Sequence, residues 1–286
     1  MTESDTQQQL GFDDMPRRLF SAAPTRLLTY FDCPRRYRFT YLDKPPPPKG
    51  LPWAHNSLGA AVHAALAGWW RLPLDRRSAE EAGDLVVNCW LSDGFRNDLH
   101  SEQHRERARR MVMRYVAGLD PEDEPIGVER VVSMTTPHAA LWGRVDRIDE
   151  RPEGLVIVDY KTGRHVLTVD DARSSLALAV YAAAAARTLH RPCTCVELHH
   201  LPTGETAVWN HSSESLDRQL ARADAIAREV ADAEQRFASG LNPTQVDEQF
   251  PPRPGAICGF CDYSRLCPEG RSVRPPSKPW DGLDEP

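Results

Sequence analysis

Apolar positions recur at helical spacing through the first part of this chain and at every second residue from about residue 127 onward. The stretch "PTRLLTYFD" (24–32) predicts an opening helix, with Pro24 suited to its first turn and Ser21 a candidate cap. Cys33-Pro34 restarts a second helix through "RRYRFTYL", and Pro45–Pro48 forms a stiff spacer. In "SLGAAVHAALAGWW", Leu58, Val62, Leu66 and Trp69 share one helical face. Helical patterning continues to about residue 118 and stops before "DPEDEP". The period then changes to two, and 127–136, 140–149 and 154–162 read as consecutive strands. A turn at 150–154 makes at least the last two antiparallel. A helix over 170–189, a strand pair over 193–201 and 206–210, and a long amphipathic helix over 213–238 complete the pattern. The implied fold is α/β (α+β), a mixed sheet flanked by helices. It comprises one domain over 21–270, with a helical part at about 45–125 and a core at about 126–240. Disordered tails are expected at 1–20 and 271–286.

Composition narrows the chemistry. A formal net charge of −6 argues against wholesale coating of nucleic acid, yet two basic patches stand out, "CPRRYRF" and "HRERARRMVMR". The second has a plain alternative as a solvated helix face. No span is apolar enough for a membrane and the N-terminus is polar, so a cytoplasmic location is expected. Among 35 basic residues only Lys44, Lys49, Lys161 and Lys278 are lysines. Lys161 therefore asks for a reason beyond bulk charge.

That reason lies in "IVDYKTGR". Residues two apart on a strand face one way, so Asp159 and Lys161 share a side and Tyr160 takes the other. Asp146, on the preceding antiparallel strand, can sit beside them. Two carboxylates converging at the end of a sheet make a hard oxygen site for Mg²⁺ or Mn²⁺. An ammonium next to it can orient water or stabilise charge on a phosphate. An isolated Asp-x-Lys would more simply be a surface ion pair.

The order of these residues resembles motifs of the PD-(D/E)XK nuclease superfamily in its RecB-nuclease/Cas4-like branch. Gly143, Arg144 and Asp146 match its Gly-Arg-x-Asp, and Asp159 to Gly163 match its Asp-Tyr-Lys-Thr-Gly. Gly59 and His63 match an upstream helical Gly followed four residues later by a ligand His. The resemblance implies a metal held by His63, Asp146, Asp159 and the Tyr160 carbonyl, with Asp146, Asp159, Lys161 and Tyr181 as catalytic residues. It also implies DNA contacts from Arg144 and Tyr181, to which the charge pattern adds Arg35, Arg36 and Arg38. One departure is plain: the family's Gln-x-x-x-Tyr helix keeps Tyr181 but has Ala177 at the glutamine position.

Three cysteines, Cys258-x2-Cys261-x5-Cys267, are one short of a closed structural metal site. A single early cysteine, Cys33, resembles the arrangement in iron–sulfur nucleases of the same group. The resemblance implies a [4Fe–4S] cluster on Cys33, Cys258, Cys261 and Cys267, with zinc in the same thiolates as the alternative. Such a staple would close a long loop, offsetting about 5 kcal/mol of chain entropy. Cys89, Cys193 and Cys195 read as core or strand residues, the latter two on one strand face, and His199 and His200 as surface-strand residues.

No phosphate-binding Gly-rich loop with its lysine exists in the sequence, so unwinding would need a separate helicase. The reading is a metal-dependent DNA nuclease serving repair or recombination, favouring an exonuclease on single-stranded or end-containing DNA. The alternative is a DNA-binding or adaptor subunit that retains the fold without activity. A weaker motif, "QQQLGF" (Gln7 to Phe12), resembles peptides that dock into sliding clamps.

Overall fold

A computed structural model describes residues 19–283 of the chain; the sliding-clamp motif and the tip of the C-terminus lie outside them. Six strands form one mixed sheet: β1 (Phe20–Ala22), β2 (Gly127–Thr135), β3 (Ala139–Arg151), β4 (Gly154–Lys161), β5 (Cys193–His200) and β6 (Glu205–Asn210). The pairs β2–β3, β3–β4 and β5–β6 are antiparallel, whereas β1–β3 and β4–β5 are parallel. Strand β4 alternates cleanly. Leu155 and Ile157 enter the core under α1 (Pro24–Asp32), α2 (Pro34–Tyr41), α7 (Leu176–Leu189) and α8 (Ser213–Ala238). Val156, Val158 and Tyr160 enter the opposite core, under α3 (Ala54–Trp70), α4 (Ala79–Asn88) and α5 (Asp98–Val116). Burial on both faces makes β4 a nearly continuous apolar run, as a strand with a parallel neighbour requires.

Several boundaries differ from the sequence expectation, each for a local reason. Ser21 does not cap α1, because it lies in β1, beside Ala140 of β3; Ala23 is the cap position and offers no side-chain bond. The helix expected over 170–189 is two helices. Thr168 and Asp171 form a capping box at the start of α6 (Val169–Ser174), and Ser175 then accepts the Leu178 N–H to start α7. Serine competes well for backbone donors at a helix start, so one internal serine can divide an apolar stripe. Two further helices, α9 (Pro243–Gln249) and α10 (Pro268–Val273), are too short to show a period.

The segment after α10, expected as a tail, lies against the domain. Ser277 N–H donates to Gly259 O (2.8 Å), and Ala54 N–H donates to Pro279 O (3.0 Å). Cys193 and Cys195, placed on one strand face by their spacing, enter different cores, because the β4–β5 register shifts between their partners Leu155 and Val156. That shift leaves Thr194 as the extra residue and turns the strand over.

Candidate active site

The site forms where the sheet has a notch. Along one edge of β3, β1 pairs only as far as Leu141 and β4 only from Arg147 onward. Residues 142–145 therefore keep β2 on one side and no strand on the other among the described residues, and Asp146 pairs with neither. Asp146 fills the break with its side chain: Oδ2 accepts the Tyr160 N–H at 2.9 Å. Its Oδ1 lies 3.2 Å from His63 Nδ1. Helix α3 brings His63 there because Val62, Leu66 and Trp69 bury its other side, and the His63 ring meets the Tyr160 ring edge-on at 5.9 Å.

Asp159 and Lys161 pair directly. The sequence expectation that they share a side of β4, with Tyr160 opposite, matches the observed alternation. Burial raises the Asp159 carboxyl above the usual carboxylate range, and the Asp146 charge adds to this while Lys161 opposes it. Burial disfavours protonated His63, but the bond to Asp146 and the charges of Asp146 and Asp159 prevail, and its affinity for a proton rises. The site is a cluster of paired charges, and a cation entering it competes with bound protons.

Sequence reasoning missed Glu129. The β2–β3 register places it opposite Asp146, between the pairs Val128–Arg147 and Arg130–Val145, and the ladder is broken there. Its φ is 50°, in the left-handed region that a side chain rarely adopts. Ligand atoms of His63, Glu129 and Asp146 lie within 4.8 Å of one another. Burial and the Asp146 charge raise the Glu129 carboxyl above its ordinary value, against the pull of Arg144, whose Nε lies 2.7 Å from Glu129 Oε2. The sequence signal is only a charged residue inside an apolar strand, which surface strands also show.

His63, Glu129 and Asp146 line an open cleft of about 1180 Å³ that also holds Trp142, Gly143, Arg144, Lys161 and Tyr181. Trp142 is 45 % exposed there. Burial and the charges of Asp159 and Asp146 push the Tyr181 hydroxyl up to about 12. Ala177 lies one turn earlier on α7 and is half-buried. Arg35 and Arg38 are elsewhere: Arg35 pairs with Glu269 (2.7 Å), and Arg38 with Asp43 and Asp247 (3.3 Å each). Arg35 and Arg36 line the cavity of the cysteines instead.

The model of the PD-(D/E)XK nuclease superfamily matches residues 21–268. The chain belongs to that superfamily. Its membership implies metal-dependent nuclease chemistry, and the mixed sheet with helices on both faces is consistent with the superfamily fold. The chain is also similar to the crystal structure of SSO0001, at 12 % identity over 90 % of each chain and a TM-score of 0.39. No curated protein matches it. The hard-oxygen and imidazole donors clustered at the notch suit Mg²⁺ or Mn²⁺.

Cys33, Cys258, Cys261 and Cys267 line one cavity, between the α1–α2 junction and the turns leading into α10. Gly270 allows close approach: a Cβ there would lie 3.3 Å from Cys258 Sγ and 3.4 Å from Cys267 Sγ. Backbone N–H groups of Gly255 and Gly270 point at Cys258 Sγ (3.3 Å) and Cys267 Sγ (3.4 Å). His199 and His200, expected on the surface, are buried. His199 bridges Tyr115 (2.7 Å) and Glu197 (2.9 Å), and His200 Nε2 donates to the Gly163 carbonyl (2.7 Å), fixing the loop after Lys161. Among the described residues no helix is long and apolar enough to cross a membrane.

Proposed function

We propose that this protein is a DNA exonuclease acting on single-stranded or end-containing DNA in repair or recombination, with a separate helicase supplying any unwinding. The observation that carries the reading is the meeting of His63, Asp146, Glu129, Asp159 and Lys161 at one notch in the sheet. His63, Asp146, Asp159 and the Tyr160 carbonyl would hold the divalent cation. When bound, that cation neutralises charge on the scissile phosphate and lowers the cost of generating a hydroxide nucleophile. Lys161, tied to Asp159, holds its ammonium where it can orient the attacking water. Arg144 reaches the cleft as a phosphate contact, and exposed Trp142 offers a stacking face to an unpaired base. Open width and a stacking platform favour a flexible single strand over a rigid duplex.

The four-cysteine cavity supports a [4Fe–4S] cluster as a structural staple between the two ends of the domain. Backbone N–H groups aimed at two sulfurs, and a glycine where a side chain would crowd them, suit thiolate ligands of a cluster. Protein prepared without oxygen should contain iron and sulfide in equal amounts, and Cys261→Ala should lower both. Zinc without sulfide would overturn the assignment.

Cleavage of a labelled single strand with Mn²⁺, abolished by chelator and by Asp159→Ala or Lys161→Ala, tests the nuclease reading. Ala177 favours a second reading, an adaptor that binds DNA without cutting. Tight DNA binding with no cleavage in either metal would establish it.

A further inference from the structure

Beside the catalytic cleft lies a second cavity of about 230 Å³, lined by His55, Arg107, Arg110, Arg114, Thr162 and Arg164 among others. His55, Thr162 and Gly163 line both cavities, so the loop after Lys161 is their shared wall. No carboxylate lines the second cavity among the described residues. Helix α5 explains the charge. His104, Ala108, Met111 and Val112 are buried, which turns Arg107, Arg110 and Arg114 toward the trough. Arg110 is also exposed enough to pair with Glu106 on the same helix (3.3 Å).

The trough is covered by the segment that follows α10. Gly282 and Leu283 line it, and Leu283 packs on the core under α3. Arg164 donates to the Asp281 carbonyl (3.1 Å), and the Arg96 guanidinium lies 5.8 Å from the Trp280 ring centroid. Gly282 sits against His55, where a Cβ would come within 2.4 Å of Nδ1. Arg164 and Ala54 each donate to a main-chain carbonyl of this segment, at Asp281 and Pro279. Oxygens of a phosphodiester backbone can satisfy the same donors and add charge. Its apolar contacts are Pro279, Trp280 and Leu283, all half-buried, and no residue of 277–283 is fully buried, so the segment holds the low-stability contacts from which displaceable parts are drawn.

We propose that residues 277–283 form a displaceable strap over a basic track, and that single-stranded DNA leaving the catalytic cleft takes the strap's place along Arg107, Arg110 and Arg164. This rests on the nuclease reading for its direction of travel, but its test is a binding measurement. In chelator, so that nothing is cut, anisotropy of a fluorescein-labelled oligothymidylate would be followed against full-length protein. Leu283→Ser and, separately, Trp280→Ala loosen the strap and should tighten binding about threefold or more, equivalent to about 0.7 kcal/mol. Arg110→Glu should weaken binding about tenfold and lower the salt slope by about one unit. Thermal melts identify any variant that fails to fold, and the other strap variant then decides. If both strap variants leave affinity unchanged or weaker, or if Arg110→Glu leaves it unchanged, the strap is a fixed part of the domain and the proposal falls. Absence of cleavage by the wild type with Mn²⁺ would instead remove the nuclease reading, whatever the binding result.

Discussion

Gly143 lies beneath the Tyr181 ring, so close that a Cβ at Gly143 would stand 2.3 Å from Tyr181 Cε1. The glycine of the Gly-Arg-x-Asp motif is thus the seat of a tyrosine on α7, on the opposite side of the cleft floor from His63. Gly143→Ala should displace that ring and lower stability by about 1–3 kcal/mol, the usual cost of overpacking. In a Tyr181→Ala background the same change should cost much less. A double-mutant cycle on thermal or denaturant midpoints checks this.

Glu129 holds a backbone conformation in which any Cβ is strained. Inside a strand, Gly normally ranks below Ala. Here the order should reverse, with Glu129→Gly more stable than Glu129→Ala by about 1 kcal/mol. Both should weaken Mn²⁺ binding about equally by calorimetry, since each removes the same carboxylate.

Protons compete with the cation at this site. His63 and Asp159 both bind protons more tightly than their ordinary values, so each stays protonated to higher pH than in a free peptide. Mn²⁺ affinity should therefore fall on acidification, beginning above the usual histidine range near about 6.5. Calorimetric titration across pH, with proton release read from buffers of different ionisation enthalpy, measures it.

Much of this is legible from the sequence. Strand β4 announces itself because it is buried on both faces, and Asp159 and Lys161 follow from its period. Glu129, Arg147 and the sheet notch are not legible. Arg147 is a buried arginine stacked near Trp70 and Tyr160 and paired with Asp149, and its position reads as an ordinary strand charge until the helices close over it. Pairing register and strand ends are tertiary facts, which local pattern does not encode. The same holds for Cys193 and Cys195, where one extra residue in the register reverses the expected face.

Glu197 carries a stability prediction away from the site. Burial alone would raise its carboxyl, but bonds to His199 and to Arg151 (2.7 and 3.1 Å) overcome this and hold it down to about 2. A depressed folded value means the stabilisation is complete above the unfolded value near about 4.3 and is lost as pH falls toward the folded one. Glu197→Gln should cost about 2 kcal/mol at neutral pH. It should also flatten the fall in stability between those two values, as followed by denaturant unfolding.

Ala177→Gln should tighten single-strand binding about fivefold, as one added neutral hydrogen bond of about 1 kcal/mol would. Turnover at saturating substrate should change little, because the substituted position lies one turn from Tyr181 and outside the residues lining the cleft. The ratio of KM to kcat effects separates grip from chemistry.

The tip of β4 is held on one side by β5 through Lys161 and His200, and on the other, among the described residues, by the Asp146 carboxylate on the Tyr160 N–H. Asp146 is consequently a latch as well as a charge. Truncating it to alanine would unfasten the strand that carries Asp159 and Lys161, and lost activity would then report a shifted strand as readily as a missing ligand. The substitution Asp146→Asn would keep an oxygen for that N–H while removing the charge. In this chain the side-chain amide, rather than the methyl, is the variant that separates the site's electrostatics from its carpentry.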